Sequence, residues 1–235
     1  MEVDPILSFL MGPLLTFAVA ILILGLLRHA ALSIWALIDA VRRAGDRRVP
    51  FAQILCNTAS WVLPVTHLHR SLPVFSFASF TFHASVILSA LFLREHIDLF
   101  GHLGLSWPAI PRPYVDWIAL LALAGLVVLL GYRIYVRQSR AVSSFVDYLL
   151  LVLLIVTVGM GYLAGQSWNV IPYKVTMIFH IGAGAAILIL VPFTKLAHCA
   201  LFPLVRFSSE LGWHLTRMGG ADVIKTLHGP EGRKI

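Results

Sequence analysis

Residues 173–207 read YKVTMIFHIGAGAAILILVPFTKLAHCALFPLVRF, and this stretch decides what kind of protein the chain is. It is apolar over a membrane-crossing length, with His180 early in the run and His198 near its end. A straight helix turns about 100° and rises about 1.5 Å per residue, so eighteen residues would return both histidines to one face, about 27 Å apart. Residues 182–186 are all glycine or alanine, and Gly184 shares the face of His180. The pattern predicts two imidazoles at opposite membrane depths, with room for a flat macrocycle beside them.

The same features have a simpler interpretation. Glycine and alanine in a membrane helix also permit close helix packing, and a histidine at a helix end can lie among lipid headgroups. Ionisable residues deep in a membrane are rare and tend to be functional. The choice therefore depends on whether another helix supplies two matching histidines.

Composition indicates a polytopic, all-α membrane protein. The chain has 235 residues, of which 59% are hydrophobic and 12% charged, and a soluble domain of this size could not bury so much apolar surface. The opening MEVDP has no basic segment, so we expect the first helix to be retained rather than cleaved. The two cysteines, Cys56 and Cys199, form no CxxC pair, so an iron–sulfur cluster would have to belong to another subunit.

Five spans are predicted, together with a surface segment and a tail. The spans lie at about 6–27, 73–93, 115–132, 145–164 and from 173 onward. Pro50 and Pro64 interrupt residues 50–70 and leave thirteen residues between them, too few to cross, so this segment predicts an amphipathic helix on the inner surface. We expect a membrane domain over 1–205 and a basic cytoplasmic tail over 206–235. His29, beside Arg28 at the inner end of the first span, is interpreted as an interfacial residue.

The positive charges predict the orientation. Of the 18 lysines and arginines, only Arg94, Arg112 and Lys174 fall on the outer side when the N-terminus is placed outside. The remaining fifteen (18 − 3) lie on the inner side, which is a strong positive-inside asymmetry. This predicts a cytoplasmic C-terminus and explains the basic character of the chain without a nucleic acid partner.

The second span carries the matching histidines, His83 and His96. Thirteen residues separate them, about 19.5 Å along a straight helix, and their azimuths differ by about 220°. The two histidines of the fifth span share one azimuth, so a kink, a π-bulge or differently seated haems would be needed to reconcile the azimuths of the two pairs. Because the two spans run in opposite directions, His83 pairs with His198 on the inner side and His96 with His180 on the outer side. Facing helices can each give one axial imidazole to a haem, so we expect two haems, with a single haem between His83 and His180 as the alternative.

Two stretches also resemble a known family. FTFHASVILSALFLREHIDLFG, residues 80–101, and the run from 173 to 207 are similar to the di-haem cytochrome b subunit of respiratory nitrate reductase, its gamma chain. They resemble more closely the membrane cytochrome b subunits of the transmembrane redox complexes of sulfate-respiring bacteria. The resemblance covers about residues 8–212 and matches His83, His96, His180 and His198 to the family's haem ligands. The loop after the second span has no lysine, so the lysine of the nitrate reductase quinol site does not carry over.

The resemblance implies a function and partners. It implies a di-haem b subunit in a bacterial or archaeal cytoplasmic membrane, exchanging electrons between menaquinone, or another quinone, and a cytoplasmic iron–sulfur subunit. That subunit would resemble heterodisulfide reductase or the nitrate reductase beta chain, and the family allows a periplasmic multihaem cytochrome c as a further partner. In such a complex the chain would be the quinol-oxidising, or quinone-reducing, electron-transfer subunit.

Polar residues at the predicted outer end are candidate quinone contacts, because a quinone needs hydrogen-bond partners and a route for protons. They are Arg94, Glu95, Asp98, His102, Gln166 and Lys174. The alternative function is a haem-free membrane anchor or small transporter, in which the histidines line a proton or metal path.

Overall fold

A computed structural model describes residues 4–44, 49–62, 73–101 and 104–215. In these ranges the chain is helical and contains no β-strand. Ten α-helices are defined, numbered in chain order: α1 Pro5–Phe9, α2 Leu15–Ala44, α3 Phe51–Val62, α4 Pro73–Phe92, α5 Arg94–Gly101, α6 Arg112–Tyr135, α7 Arg137–Ala141, α8 Phe145–Ala164, α9 Tyr173–Leu190 and α10 His198–Leu215.

Five helical segments are long and apolar enough to cross a membrane, as the sequence predicted. They are Pro5–Arg43, Pro73–Phe92, Arg112–Tyr135, Phe145–Ala164 and Tyr173–Phe193. At most 33% of the most apolar stretch of any of them is buried within the chain. The apolar surface left exposed is the surface that a lipid bilayer would cover.

The described chain divides into two compact units. The first comprises Met1–Ala20 and Leu68–Leu190, and the second comprises Ile21–His67 and Val191–Ile235. The α-helix of the fifth candidate span, α9, therefore ends at the boundary of the first unit, Leu190. Helix α10, which follows, belongs to the second unit.

Helices α4, α6, α8 and α9 form the first unit, packed in that order. Phe82, Leu126, Leu129 and Leu151 make its buried core. Gly125 of α6 lets the backbones of α4 and α6 approach closely, since a Cβ there would lie 2.9 Å from Phe82 Cβ.

A cluster of polar side chains holds the end of α6 against the start of α8. Ser144 caps α8 in a reciprocal capping box with Asp147, and the buried Asp147 carboxylate lies 4.0 Å from the Arg133 guanidinium. Tyr148 Oη donates a hydrogen bond of 2.9 Å to Arg133 O. These contacts fix α6 and α8 as antiparallel neighbours.

The N-terminal segment is attached to the start of α9. Asp4 caps α1 by accepting hydrogen bonds from Ile6 N and Leu7 N, and its carboxylate forms an ion pair with Lys174. The hydrogen bond from Lys174 lowers the pKa of Asp4. A turn of π-helix, Leu10–Leu14, accommodates Pro13 before α2 begins.

In the second unit, α3 packs against α10 with Ile54 and Leu211 fully buried. The guanidinium of Arg206 lies 4.5 Å from the centre of the Trp61 ring, a cation–π contact. The helix predicted within 50–70 is present as the twelve residues of α3, and 63–70 lie outside the described residues. Helix α10 runs through the predicted domain boundary at 205/206.

The straight helix predicted from His180 to His198 is wrong. The α-helix ends at Leu190, and two short 3₁₀ turns, Val191–Phe193 and Lys195–Ala197, precede α10. Pro192 has no N–H to continue the hydrogen-bond ladder, and Thr194 then starts a new segment by accepting a hydrogen bond from Leu196 N. The separation of 27 Å along one face therefore does not describe these two residues.

Candidate functional site

His180 lies on α9 where this helix packs against α8. Its Nδ1 donates a hydrogen bond of 2.7 Å to the backbone carbonyl of Thr157. The ring is seated over Gly161, one turn further along α8, because a Cβ at Gly161 would lie 2.6 Å from Nδ1 and 2.7 Å from Cε1. The glycine therefore allows the ring to reach the carbonyl.

His96 is positioned by the end of α4. This helix stops at Phe92, and the chain bends at Leu93 before α5 starts. The bend returns His96 to the last turn of α4, where its Nδ1 lies 3.0 Å from Ala90 O and 3.3 Å from Ser89 O. The straight-helix separation of His83 and His96 therefore does not apply, and of the alternatives considered from the sequence the chain has a kink, at Leu93.

All of the last four carbonyls of α4 find partners outside the helix, which stabilises the bend. His96 bonds the first two, and Trp107 Nε1 donates to Leu91 O at 2.7 Å. The amide of Ile110 donates to Phe92 O at 2.9 Å. A helix end normally leaves these four acceptors without intrahelical donors, so the bend creates no unsatisfied backbone group here.

The structure brings His96 and His180 together. Their ring centres are 6.0 Å apart and the ring planes are parallel, at 0°. Nδ1 of each ring donates to a backbone carbonyl, so Nε2 is the nitrogen that carries the lone pair in the neutral form of each ring. In the described part of the chain, neither Nε2 bonds another protein atom.

The separation of the two rings is compatible with a metal held between two imidazoles. A histidine nitrogen binds its metal at about 2 Å and the ring centre lies about 1 Å further, so two axial rings would be about 6 Å apart. Direct aromatic contacts cover the same range of distances, and the distance alone would not decide. The two hydrogen bonds do favour a ligand role, since metal-bound histidines almost always donate their second N–H to a carbonyl or carboxylate.

Each histidine of the other predicted pair is also oriented by the backbone. His83 Nδ1, on α4, lies 2.7 Å from Ser79 O. His198 is the exposed first residue of α10, and its Nδ1 bonds Lys195 O. A hydrogen bond with Cys199 and the bond to Lys195 O raise the pKa of His198 to about 9, against the opposing effect of its burial.

Because His83 and His198 belong to different compact units, their pairing stays a prediction. The small-residue segment 182–186 serves helix packing at two points. A Cβ at Gly184 would lie in ordinary contact with Thr157 Cγ2, at 3.6 Å, and Ala185 is buried. Thr157 of α8 therefore limits the room expected at Gly184, whereas a Cβ at Gly182 would meet nothing within 4 Å.

Most of the predicted quinone contacts are engaged in ion pairs. Arg94 pairs with Asp98 on its own helix at 3.2 Å, and Glu95 pairs with Arg112 at 3.0 Å. Lys174 binds Asp4. Four of the six predicted contacts therefore each have a partner of opposite charge.

Two of the predicted quinone contacts stand apart from these ion pairs. The side-chain Nε2 of Gln166 is buried and has no hydrogen-bond partner in the described chain, and His102 lies outside the described residues. Gln166 is thus the candidate with a donor available for a ligand.

Sequence reasoning missed Arg112 and Thr157 as site residues. Thr157 acts through its backbone carbonyl, which residue type does not reveal. Arg112 is the first residue of α6, and Asp116 follows it one turn later on the same helix. This i, i+4 spacing of opposite charges is a sequence signal for a guanidinium held by an ion pair.

The fold and site thus define a helical chain with five candidate membrane spans and a backbone-oriented histidine pair. The chain is 31% identical over 219 residues to a protein of Nitratidesulfovibrio vulgaris (strain Hildenborough), aligning 91% of this chain with 96% of that protein. It belongs to the same family as that protein, whose name is simply "Protein". No family model matches the chain, and no solved structure matches it.

Proposed function

We propose that this protein is the membrane di-haem b cytochrome subunit of a respiratory redox complex. In that complex it exchanges electrons between the quinone pool and a cytoplasmic iron–sulfur subunit. The observation that carries the proposal is the parallel His96–His180 pair, 6.0 Å between ring centres, with both Nδ1 atoms bonded to backbone carbonyls. His83 and His198 would hold the second haem.

The positions of the charges support the proposed orientation. The ends of α6 and α8 that carry Arg133 and Asp147 would face the cytoplasm, together with Arg137 and Arg140 of α7. The opposite end of the first unit, with His96 and Glu95, would face outward. Lysine and arginine are retained on the cytoplasmic side of membrane proteins, and the N-terminus would then be outside.

Haem, when bound, supplies the one-electron chemistry, and the chain supplies its position and environment. Thr157 O accepts a hydrogen bond from His180 Nδ1 and the last carbonyls of α4 accept from His96 Nδ1, which leaves Nε2 of each ring as the nitrogen that could bind a metal. Gly161 provides the space in which the His180 ring lies. The cytoplasmic iron–sulfur partner resembles heterodisulfide reductase or the nitrate reductase beta chain in this proposal, and a periplasmic multihaem cytochrome c is compatible with it.

A menaquinone, or another quinone, would bind at the outward end of the first unit. Gln166 offers a buried Nε2 that lacks a hydrogen-bond partner in the described chain, and a quinone carbonyl is an acceptor of the right chemistry. Glu95 would accept protons on the same side. Substituting Gln166 by Leu should therefore slow quinol-driven reduction of the cytochrome and leave its dithionite-reduced spectrum unchanged.

The test of the proposal is a dithionite-reduced minus oxidised spectrum of the purified chain, with haem quantified against protein. We expect two b-type haems per chain, and one fewer in His180→Ala and in His96→Ala. His29→Ala is the matched control, because His29 uses Nε2 to bond Pro192 O at 2.8 Å, and it should keep both haems.

A colourless protein would contradict the proposal and favour the haem-free transporter or anchor. Haem fully retained when His96 and His180 are both replaced would contradict the ligand assignment instead.

A further inference from the structure

Arg112 connects three elements of the first unit at the end where His96 lies. Its Nη1 is 3.0 Å from Glu95 Oε1 on α5, and its Nε is 2.9 Å from Asp116 Oδ1 on α6. Its guanidinium also lies against Gly165, the residue that ends α8, because a Cβ built there would be 1.4 Å from Nη2. Only glycine at position 165 therefore leaves room for the guanidinium of Arg112.

The arrangement is not explained by the stability of α6. Arg112 is the first residue of α6, where a cation faces the positive end of the helix dipole and is unfavourable. Asp116 offsets this locally. The bond to Glu95, seventeen residues earlier in the chain, instead acts between elements.

Helix α5 needs such a connection because it is short. It has eight residues, and below about twelve residues an isolated helix is marginal. It is also attached through the buried Ile97, through the bonds of His96 to α4 and through the packing of Phe100 on Trp107, with ring centres 5.2 Å apart. Glu95 directly precedes His96, so the ion pair restrains the backbone that carries the imidazole.

We propose that Arg112 is a positioning residue for the haem that His96 and His180 would share. It holds α5 against the start of α6 and the end of α8, and so keeps the His96 ring parallel to that of His180. This inference rests on the proposed function, because it concerns the geometry of the same haem ligand.

The expected effect is on ligand geometry more than on stability. The side chains of Arg112 and Glu95 are 37% and 62% exposed, and ion pairs with this exposure add little to folding. Residues that orient a metal ligand from outside the coordination sphere nevertheless change metal affinity by about 10- to 100-fold. We expect a change near the lower end, because Arg112 acts through the backbone.

The experiment compares Arg112→Gln, Glu95→Gln and the double variant in the full chain purified with its haems. Two quantities are measured: the rate of haem transfer to an excess of apoglobin, and the low-spin electron paramagnetic resonance signal, which depends on the angle between the two axial ring planes. We expect each single variant to release one haem about 10-fold faster and to shift one of the two signals. The double variant should resemble the single variants, since both remove the same contact.

Gly165→Ala gives a second test that leaves both charged residues in place. The added methyl must displace the guanidinium, so the same haem should be released faster and the same signal should shift. Arg43→Gln is the control, because it removes an exposed ion pair with Asp39, 2.7 Å long and within one helix. It should change neither quantity.

The role of Arg112 would be overturned if the effects were additive in the double variant, or if the variants left the rate of haem release and the resonance signals unchanged. The cytochrome assignment would stand in either case. A parent protein without haem would overturn both, and the spectrum of the parent separates these two results. A fall in thermal stability with an unchanged resonance signal would mean that Arg112 has only a structural role.

Discussion

Replacing Gly161 by alanine should weaken the haem site proposed between His96 and His180. The methyl group would lie 2.6 Å from His180 Nδ1 and 2.7 Å from Cε1, whereas ordinary contacts begin near 3.4 Å. The ring must therefore move by about 0.8 Å. Moving away from α8 by this amount would stretch the bond to Thr157 O, now 2.7 Å, to about 3.5 Å, at which a hydrogen bond is lost.

The cost differs between the empty and the occupied site. Without a metal, the His180 side chain can rotate away at small cost, so the folded protein should remain stable. If His180 holds a metal as proposed, the ring could not move without straining that bond as well. The lost hydrogen bond is worth about 1 kcal/mol, and loss of such an orienting partner typically lowers metal affinity about 10- to 100-fold.

The assay is haem content per chain together with the rate of haem transfer to apoglobin. Gly159→Ala, on the same helix as Gly161, is the matched control, because its methyl would meet only Leu123 Cδ2, at 3.8 Å. Gly161→Ala should lose one haem at least 10-fold faster, and Gly159→Ala should behave like the parent. Equal haem retention in both variants would refute the seating of His180 over Gly161.

Three further predictions concern the scaffold of the first unit. Gly125→Ala should lower the free energy of unfolding by about 1–3 kcal/mol through overpacking, since its methyl would lie 3.0 Å from a backbone oxygen of α4. Gly131→Ala on the same helix meets nothing within 4 Å and should be neutral or stabilising in the same denaturation assay. Trp107→Phe removes the donor to the α4 carbonyl and should lower the thermal midpoint by an amount equivalent to about 1 kcal/mol. Lys174 lowers the pKa of Asp4 from 3.8, so this ion pair stabilises the fold above pH 3.8, and the stabilisation is lost as the pH falls through the lowered pKa. The thermal midpoint of Asp4→Asn should therefore decline less at acid pH than that of the parent. Identical declines would contradict the ion pair.

The sequence predicted the spans well, and for a physical reason. Long apolar runs bounded by proline or polar residues have one stable form in lipid, because every backbone group must be bonded within the segment. Hence α4 begins at Pro73 and α8 at Phe145, as predicted. The opposite directions of the second and fifth spans likewise predicted that His96 and His180 lie at the same end.

The geometry along each histidine-bearing span was less predictable. Counting 100° per residue is valid only while one helix continues, and both spans break. Pro192 signals a break, but the place where α10 starts depends on the Thr194 side chain. Leu93 carries no such signal at all, since leucine is a good helix former.

The break at Leu93 is decided by residues distant in sequence. Trp107 and Ile110 bond the last carbonyls of α4, and these partners lie sixteen and eighteen residues beyond the acceptors Leu91 and Phe92. A local pattern cannot report a competition between continuing the helix and bonding a later loop. The same competition moves His96 back onto α4, which removes the azimuth mismatch of about 220° expected for one straight helix. The spacing of His83 and His96, which would be unfavourable for the proposed haem ligation in one straight helix, therefore no longer counts against it, because the helix ends at Phe92, four residues before His96.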